Sequence, residues 1–350
     1  MNGDSVTTVN RADSFGDHSA DEPLRSPSSV EESLAIDADR PGAYQWWYFD
    51  ATSDDGEHAL VVIFFVGSVF SPWYFERLAR GERARPREHS AINVALSSKR
   101  GGPLRSRWIF SEYSSFEGTL DAGLSIGRNR LIKQRDGAYE LSLDDEPPRF
   151  GLPLSLRGRV RFTPDGGSAT PSTGPFVLDR AGAHRWAPIA PRCRVDATFS
   201  SPSIRFAGSG YHDVNHGDER LGDAFLRWHW ARSHEPSRTR IRYDRALRDG
   251  TRRVLDLELS RDRLHIDHRL EPRAMELKMG GWTLMEPARL MVDDRTALRD
   301  VRRVESSPFY ARYTAKTPDG SPAVGEHLDL DRFALSTMQK MLPFRARRVR

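Results

Sequence analysis

The chain has 350 residues and a net charge of +4, with 53 Lys and Arg residues against 49 Asp and Glu residues. This length suits one large all-β domain or two smaller ones, and Arg alternates with Asp and Glu through most of the chain, which argues against a nucleic-acid partner. The single cysteine, Cys193, excludes an intrachain disulfide framework and a structural zinc site of several thiolates.

Residues 1–40 are rich in Ser, Asp, Glu and Pro and hold nine acidic residues against three arginines. Such a composition buries too little apolar surface to offset the entropy of ordering, so we predict a disordered acidic segment. No stretch at the N-terminus combines a basic start, an apolar run and a small-residue cleavage site. We therefore expect no secretory signal and a cytoplasmic protein.

Beyond residue 40, short apolar runs alternate with turn residues. YQWWYFDA, then Asp54-Asp55-Gly56, then HALVVIFFVG predicts a hairpin, and the apolar run at residues 59–70 falls short of the ~20 residues that span a bilayer as a helix. Further strands are predicted at HSAINVALS, SRWIFSEY, LSIGRNRLI, YELSL, LSLRGRVRF, RVDATF, SIRFAG, FLRWHWARS, RIRYDRAL, RRVLDLELS, RLHIDHRL, FYARYTA and GEHLDL. This pattern predicts an all-β fold of antiparallel sandwiches or barrels.

Two β modules are indicated by a faint repeat, because WWYFDA and RWHWARS each place tryptophans in a strand that opens a run of hairpins. We predict an N-terminal β domain at residues 41–215 and a C-terminal one at residues 216–350. Helices are few: Ser71 and Pro72 predict the start of one. A second is expected to be capped by Asp331 and to end before Pro343, with Leu335, Met338 and Leu342 on one face. A basic tail follows at residues 345–350.

Residues 209–232, SGYHDVNHGDERLGDAFLRWHWAR, concentrate a carboxyl, a phenol, imidazoles and indoles. Tyr211 and Asp213 are two residues apart, so both side chains project from one face of a strand. Burial in an apolar pocket disfavours the ionised carboxyl, so Asp213 can stay protonated at neutral pH and deliver a proton to carbon. A turn-capping Asp213 and a core Tyr211 are the alternatives, and the sequence leaves them open.

His184 and Trp186 also share one strand face. His184 can hold and deprotonate an attacking water, and the Trp186 indole can stabilise a carbocation. Trp228 and Trp230 share a face by the same spacing, with His229 on the other. For all of these residues, packing and hydrogen bonding within the core are the alternative roles.

Metal ligation is an alternative use of this region, which holds His212, His216 and His229, and His234 just beyond the stretch, together with Asp213, Asp218 and Glu219. It contains no His-Glu-x-x-His motif, and as a calcium loop starting at Asp213 it places glycine fifth and Ala224 twelfth, where glycine sixth and glutamate twelfth are required. Dinucleotide, phosphate-loop and nucleophile-elbow motifs are missing from the sequence. We therefore predict no metal and no cofactor, and leave the roles of His212, His216 and His229 open.

Five collinear blocks between residues 42 and 344 together resemble the carotenoid 1,2-hydratase (hydroxyneurosporene synthase) family, part of a lipocalin-like hydratase superfamily. The blocks are GAYQWWYFDA with DDGEHALVVIFFVGSVFSPWY; HSAINVAL; HRWAPIAPRCRVDATF; SGYHDVNHGDERLGDAFLRWHWAR; and SPFYARYTA with LDLDRFALSTMQKMLPFR. One departure is His229, at a position where the family pattern suggests an acidic residue.

The resemblance implies two lipocalin-like β modules and hydration of the terminal C1,2 double bond of an acyclic carotenoid, without a cofactor, to a tertiary alcohol. It makes Asp213 the proton donor, with Tyr211, His184 and Trp186 as supporting residues. We add four tryptophans as candidate substrate contacts: Trp46, Trp47, Trp228 and Trp230.

Two other functions stay open at this point. One is a lipocalin-like cyclase, or a hydratase acting on another polyene or terpenoid, and the other is a carrier that binds an apolar ligand without changing it. A carrier has no use for a buried acid facing its ligand. The water-insoluble substrate and the basic tail also suggest peripheral contact with an anionic inner membrane. The sequence does not fix the oligomeric state.

Overall fold

The computed structural model describes residues 20–25, 32–100, 105–145, 155–165, 170–171, 175–260, 263–268, 273–276, 289–292, 298–340 and 346–348. In chain order the strands are β1 (Ala20–Arg25), β2 (Tyr44–Ser53), β3 (His58–Val66), β4 (Ser90–Ser98), β5 (Arg107–Tyr113), β6 (Leu124–Ile126), β7 (Asn129–Lys133), β8 (Tyr139–Asp145), β9 (Leu156–Pro164), β10 (Thr170–Pro171), β11 (Phe176–Val177), β12 (His184–Ser201), β13 (Ser203–Gly217), β14 (Phe225–His234), β15 (Thr239–Leu247), β16 (Arg252–Leu259), β17 (Arg263–Asp267), β18 (Arg273–Glu276), β19 (Arg289–Val292), β20 (Arg299–Ser306), β21 (Tyr310–Lys316), β22 (Pro322–Asp329) and β23 (Ala346–Arg348). The helices are α1 (Pro72–Ala79), α2 (Leu221–Ala224), α3 (Leu330–Ala334) and α4 (Ser336–Lys340), with a 3-10 helix at Pro86–His89.

Two large sheets carry most of these strands. The first has the order β23-β5-β4-β3-β2-β13-β12-β9-β8-β7-β6, with β11 paired to β12. A bridge between Glu117, which follows β5, and Ser125 of β6 nearly closes it into a barrel. The second has the order β10-β1-β17-β16-β15-β14-β22-β21-β20, and β18 and β19 form a separate pair. The predicted all-β fold with a few short helices is confirmed.

Both faces of β2, in the middle of the first sheet, are buried. On β2, Trp47 and Phe49 point into the barrel, where they join a core formed by side chains of the first sheet. Trp46 and Tyr48 point the other way, into a second core that contains Trp228 and residues of both sheets. Alternate side chains of a strand project to opposite faces, so one strand serves both cores. Groups from the two halves of the chain therefore meet in the gap between the sheets.

A buried ion pair also joins the two sheets. Asp50 of β2 accepts hydrogen bonds from Arg232 of β14, with Nε at 3.1 Å from each carboxylate oxygen. Both residues are at most 2% exposed. Each of these buried charges needs the other as its partner, because an unpaired charge away from water is strongly destabilising. The pair therefore fixes the position of β14 on β2.

The chain leaves the first sheet at Gly217 and enters the second at Phe225, so the predicted boundary between residues 215 and 216 falls inside β13. The halves also exchange strands. β1 and β10 pair within the second sheet, whereas β23 lies at the edge of the first. Each sheet therefore contains backbone from both predicted domains.

The N-terminal segment is ordered wherever the structure describes it. Residues 1–19 and 26–31 lie outside the described part, but β1 pairs with β17. Glu32 is 1% exposed and accepts hydrogen bonds from Lys133 Nζ at 2.6 Å and Tyr139 OH at 2.9 Å. At residues 20–25 and 32–40, pairing and specific hydrogen bonds supply what the polar composition lacks, and the disorder of residues 1–40 stays a prediction.

The first predicted helix is confirmed, since α1 begins at Pro72 and the Ser71 side chain accepts a hydrogen bond from the Tyr74 backbone. The predicted final helix is wrong in its details. Asp329, not Asp331, caps α3, and the extended Leu335 separates α3 from α4. Leu342 and Pro343 lie outside the described residues. No helix among the described residues is long and apolar enough to span a membrane.

Candidate active site

Asp213 lies on the face of β13 that is directed at the second sheet, and three side chains hold its carboxyl. Trp186 Nε1 and Tyr211 OH each donate a hydrogen bond to Oδ2 at 2.8 Å. Asn215 Nδ2 lies 3.4 Å from Oδ1. Tyr211, Asp213 and Asn215 are spaced two apart, so the pleat of one strand presents all three to the same side. Trp186 reaches the carboxyl from the neighbouring β12.

The environment of Asp213 favours its neutral form. Burial raises its pKa to about 8, against the opposing effect of the hydrogen bonds from Trp186 and Tyr211, and the charges of Glu326 and Asp50 raise it further. The group is therefore mostly a carboxylic acid at pH 7. Because Oδ2 accepts two hydrogen bonds, the proton belongs on Oδ1, which has only the longer contact with Asn215. The site thus holds a neutral acid with its proton-bearing oxygen defined.

Aromatic rings surround this acid. Ring centroids of Tyr211 and Trp230 are 5.1 Å apart, those of Trp186 and Tyr243 are 5.4 Å apart, and those of Tyr48 and Trp230 are 5.6 Å apart. Their π faces are attractive to cations. The surroundings therefore shield the carboxyl from bulk water and can attract a positive charge near it.

An apolar cavity of about 450 Å³ lies between the sheets close to this acid. Its aromatic walls are formed by Trp46, Phe65, Phe70, Phe110, Trp228 and Phe309. This size is typical of a cavity that holds a drug-sized apolar ligand.

Tyr48 lies between Asp213 and the cavity. The two residues are directly opposite each other on β2 and β13. Tyr48 lines the cavity, whereas Asp213 is absent from the described lining residues, although it is 4% exposed. A molecule in the cavity therefore meets the Tyr48 phenol before the carboxyl.

The same cavity wall contains a charged cluster that the sequence did not point to. Tyr48 OH donates to Glu326 Oε1 at 2.7 Å, and Arg312 Nε donates to the same oxygen at 3.0 Å. Arg312 Nη2 lies 3.2 Å from Glu305 Oε2, and Trp108 Nε1 donates to Glu305 Oε1 at 2.7 Å. Only the tertiary fold brings these residues together. Asn215 was also missed, although the two-residue spacing from Asp213 predicts it.

His184 does not contact Asp213. It pairs with Gly217 across β12 and β13, four positions from Asp213 along the strand, or about 13 Å at ~3.3 Å per residue. Its Nδ1 lies 2.9 Å from Tyr44 OH and its Nε2 lies 3.4 Å from Glu219. Burial lowers its pKa. His184 and Trp186 share a face, but only Trp186 reaches the acid.

The four predicted substrate-contacting tryptophans are divided by the fold. Trp46 and Trp228 line the cavity, with ring centroids 6.3 Å apart. Trp230 packs beside Tyr211. Trp47 faces the barrel interior, where its Nε1 donates to the Glu32 carbonyl at 2.7 Å. Trp47 therefore does not line this cavity, because neighbouring residues of a strand face opposite sides, and its contact with substrate stays a prediction.

The histidines of the 209–232 stretch do not form one cluster. His212 stacks on Phe49 in the barrel at 3.9 Å, and burial lowers its pKa to about 3. Burial lowers the pKa of His216 to about 4. His229 lies beside His327, with ring centroids 4.3 Å apart. His212 is thus a neutral core residue.

One group of potential metal ligands among the described residues lies near the start of β12. The ligand atoms of Asp179, His184 and Glu219 lie within 4.8 Å of one another. Two carboxylates and an imidazole suit zinc or iron. However, Asp179 Oδ1 accepts from the His184 backbone at 2.8 Å and Oδ2 accepts from Ala181 at 3.1 Å. These bonds give Asp179 the role of closing the turn that leads into β12.

The chain is similar to several known proteins. Residues 62–350 match the family described as carotenoid hydratase CrtC. Acyclic carotenoid 1,2-hydratase of Thiocapsa roseopersicina is 38% identical over 313 residues, covering 88% of this chain and 74% of that protein. The protein of the same name from Rubrivivax gelatinosus is 33% identical over 327 residues, covering 87% of this chain and 73% of that protein.

A solved structure supports the fold alone. The crystal structure of kievitone hydratase from Nectria haematococca superposes with a TM-score of 0.55 at 9% identity, covering 89% of this chain and 94% of that one. The sequence matches extend over most of the chain, including the strands that carry Asp213, Trp186 and Tyr211. This chain therefore belongs to the carotenoid hydratase family.

Proposed function

We propose that the protein adds water to the terminal C1,2 double bond of an acyclic carotenoid, of the neurosporene or lycopene type, and forms a tertiary alcohol without a cofactor. The observation that carries this proposal is a neutral carboxylic acid, Asp213, held in an aromatic site beside an apolar cavity. The names of the relatives supply the substrate class. Hydration of an alkene transfers no net electrons, so acid chemistry is sufficient.

Asp213 acts as the general acid in this proposal. Its Oδ1–H bond breaks, and the alkene π electrons form the new C–H bond at the less substituted carbon, C2. The positive charge is left on the tertiary carbon C1, where an oxygen lone pair of water forms the C–O bond and a water proton departs. Trp186 and Tyr211 donate to Oδ2 and stabilise the carboxylate as it forms. The aromatic faces around the acid stabilise the cation.

The test is incubation of the purified protein with lycopene or neurosporene in detergent and H₂¹⁸O, followed by mass spectrometry. Asp213→Asn keeps the shape of the side chain but removes the acid. Asp196→Asn makes the same change at an exposed position on β12 and serves as the control. We expect wild type and the control to form alcohol with one labelled oxygen, and Asp213→Asn to lose at least 100-fold in rate.

Two outcomes would overturn this proposal. Full activity in Asp213→Asn would exclude the acid assignment. Polyene that co-purifies unchanged with all three proteins would favour a carrier, or an enzyme for another polyene.

We also propose that the protein collects its water-insoluble substrate by peripheral contact with an anionic membrane. Trp108 lines the cavity and is 43% exposed, and its indole is of the kind that suits a membrane interface. It lies on β5, the strand to which β23 in the basic C-terminal tail is paired. An aromatic cavity edge beside a basic segment supports this contact.

A further inference from the structure

Two rows of side chains face each other across the gap between the sheets. The row on the first sheet, in register across β13, β2, β3 and β4, consists of Asp213, Tyr48, Ile63 and Asn93. The row on the second sheet, in register across β14, β22, β21 and β20, consists of Trp230, Glu326, Arg312 and Glu305. The hydrogen bond from Tyr48 to Glu326 and the ring contact between Tyr48 and Trp230 join the rows. Glu326 is therefore the carboxylate of the second row that lies beside the acid site.

The charged cluster in the second row carries one excess negative charge. Arg312 is 3% exposed and lies between the carboxylates of Glu305 and Glu326. Glu305 directs one oxygen at Trp108 and the other at Arg312. Glu326 Oε1 is engaged by Tyr48 and Arg312, but no described residue donates to Glu326 Oε2. One carboxylate oxygen at the cavity wall is thus left to accept a proton or a hydrogen bond.

An unpartnered donor belongs to the residue in register with Glu326. The Nε1 atom of Trp230 is buried and has no hydrogen-bond partner among the described residues. Trp230 and Glu326 are directly opposite each other on β14 and β22, so their side chains share one face of the sheet. A buried water is held where it finds two or more polar partners. A donor and an acceptor at neighbouring positions provide that minimum.

We propose that Trp230 Nε1 and Glu326 Oε2 hold the attacking water and that Glu326 is the base that accepts its proton. This inference rests on the proposed hydration. It assigns the acceptor of the water proton, which the proposed hydration does not name. When the water oxygen bonds to C1, one O–H bond breaks and its proton moves to Glu326 Oε2. Asp213, which gave its proton to C2, is left as the carboxylate. Transfer of one proton from Glu326 to Asp213 through solvent restores the starting state.

The geometry separates the two proton transfers. Asp213 belongs to the first sheet and Glu326 to the second, so the proposed acid and base lie on opposite sides of the gap between the sheets. The net negative charge of the second row also faces the carbocation, which it attracts in a site of low dielectric. The titratable and charged groups that face Glu326 from the packed elements are Tyr48, Asp213, Tyr310, Arg312 and Glu305.

The test compares Glu326→Gln with Glu305→Gln, since both remove one negative charge beside Arg312 but only Glu326 is paired in register with Trp230. We expect Glu326→Gln to lower kcat by about 100-fold or more, with KM changed by no more than a few-fold. The fall in its kcat at low pH, the acid limb of the pH profile, is expected to disappear. Glu305→Gln is expected to lose less than about 10-fold and to keep that limb.

Glu326→Asp is the second variant, because it retains a carboxylate and is expected to retain the acid limb at reduced kcat. If thermal unfolding shows that Glu326→Gln does not fold, Glu326→Asp still tests whether Glu326 is the base. Equal losses of kcat in Glu326→Gln and Glu305→Gln, with the acid limb kept in both variants, would overturn the base assignment. Loss of the acid limb in Glu326→Asp would also overturn it. Failure of the proposed function is distinguishable, because it would show as absent hydration in wild type or full activity in Asp213→Asn.

Discussion

Burial raises the pKa of the Asp213 carboxyl and keeps it neutral, which is the form that the proposed acid catalysis requires. A group with a raised pKa reduces folding stability wherever the unfolded chain would ionise it. Trp186 and Tyr211 offset part of this cost by donating to Oδ2. The residue therefore trades stability for a carboxyl that keeps its proton at neutral pH.

This trade gives a prediction for Asp213→Asn. The folded carboxyl has a pKa of about 8, whereas the ordinary value for an aspartic acid, which the unfolded chain keeps, is 3.8. Between these values the folded state keeps a proton that the unfolded state has lost, so the free energy of unfolding falls as pH rises. The amide does not titrate, so the variant is expected to be more stable than wild type. The difference in free energy of unfolding between the two is expected to be roughly 2 to 3 kcal/mol larger at pH 7 than at pH 5.

Urea unfolding at the two pH values measures this difference. Asp196→Asn, at an exposed position of β12, is the control and is expected to show no such pH dependence. If the stability difference between Asp213→Asn and wild type were the same at pH 5 and pH 7, the carboxyl would not be held neutral by the fold.

At the scale of the element, the two faces of β2 have different tasks. Trp46 lines the cavity, whereas Trp47 is 1% exposed in the barrel core and donates to the Glu32 carbonyl. Trp47→Phe leaves that carbonyl without its donor and is expected to lower the free energy of unfolding by about 1–3 kcal/mol with little effect on KM. Trp46→Phe removes contact area from the cavity and is expected to raise KM several-fold with a smaller loss of stability.

Denaturant unfolding and steady-state hydration kinetics on the two variants check this pair. Each variant serves as the control for the other, because the substitution is the same and the positions are adjacent. A larger KM effect for Trp47→Phe than for Trp46→Phe would contradict the assignment of faces.

The sequence predicts the strands well and the site in part. Two-residue spacing is a local property, so it placed Tyr211 with Asp213 and Trp186 with His184. The same rule excludes a common face for Trp46 and Trp47, which the prediction overlooked. The distance between His184 and Asp213 depends on how β12 and β13 are registered, which spacing within one strand does not define.

Glu326 shows why the rest of the candidate site could not be predicted from the sequence. It lies in GEHLDL, which was recognised as a strand, but nothing in that stretch marks the glutamate as special. Its partners are Tyr48 from the other sheet and Arg312 from the neighbouring strand. Contacts between sheets arise only when the two halves of the chain pack together.

At the scale of the whole molecule, the cavity is smaller than the proposed substrate. A volume of about 450 Å³ suits a drug-sized ligand, so it takes only one end of a long acyclic carotenoid. The rest of the polyene must stay in an apolar medium outside the cavity. In the proposed membrane contact the bilayer provides that medium, and Trp108 on β5 both lines the cavity and is exposed at the surface.

The basic C-terminal tail tests this arrangement. β23 pairs with β5 through its backbone, and replacing the four arginines of residues 345–350 with Gln retains that backbone while removing charge. Each arginine near an anionic surface contributes about 1 kcal/mol, and salt screens the attraction. We expect the Gln variant to float less with anionic vesicles than wild type, with a difference that shrinks at high salt. Trp108→Ala is expected to lower flotation at every salt concentration, because its contribution is apolar. Neutral vesicles are the control, and flotation of wild type and both variants to the same extent would exclude this edge as the membrane contact.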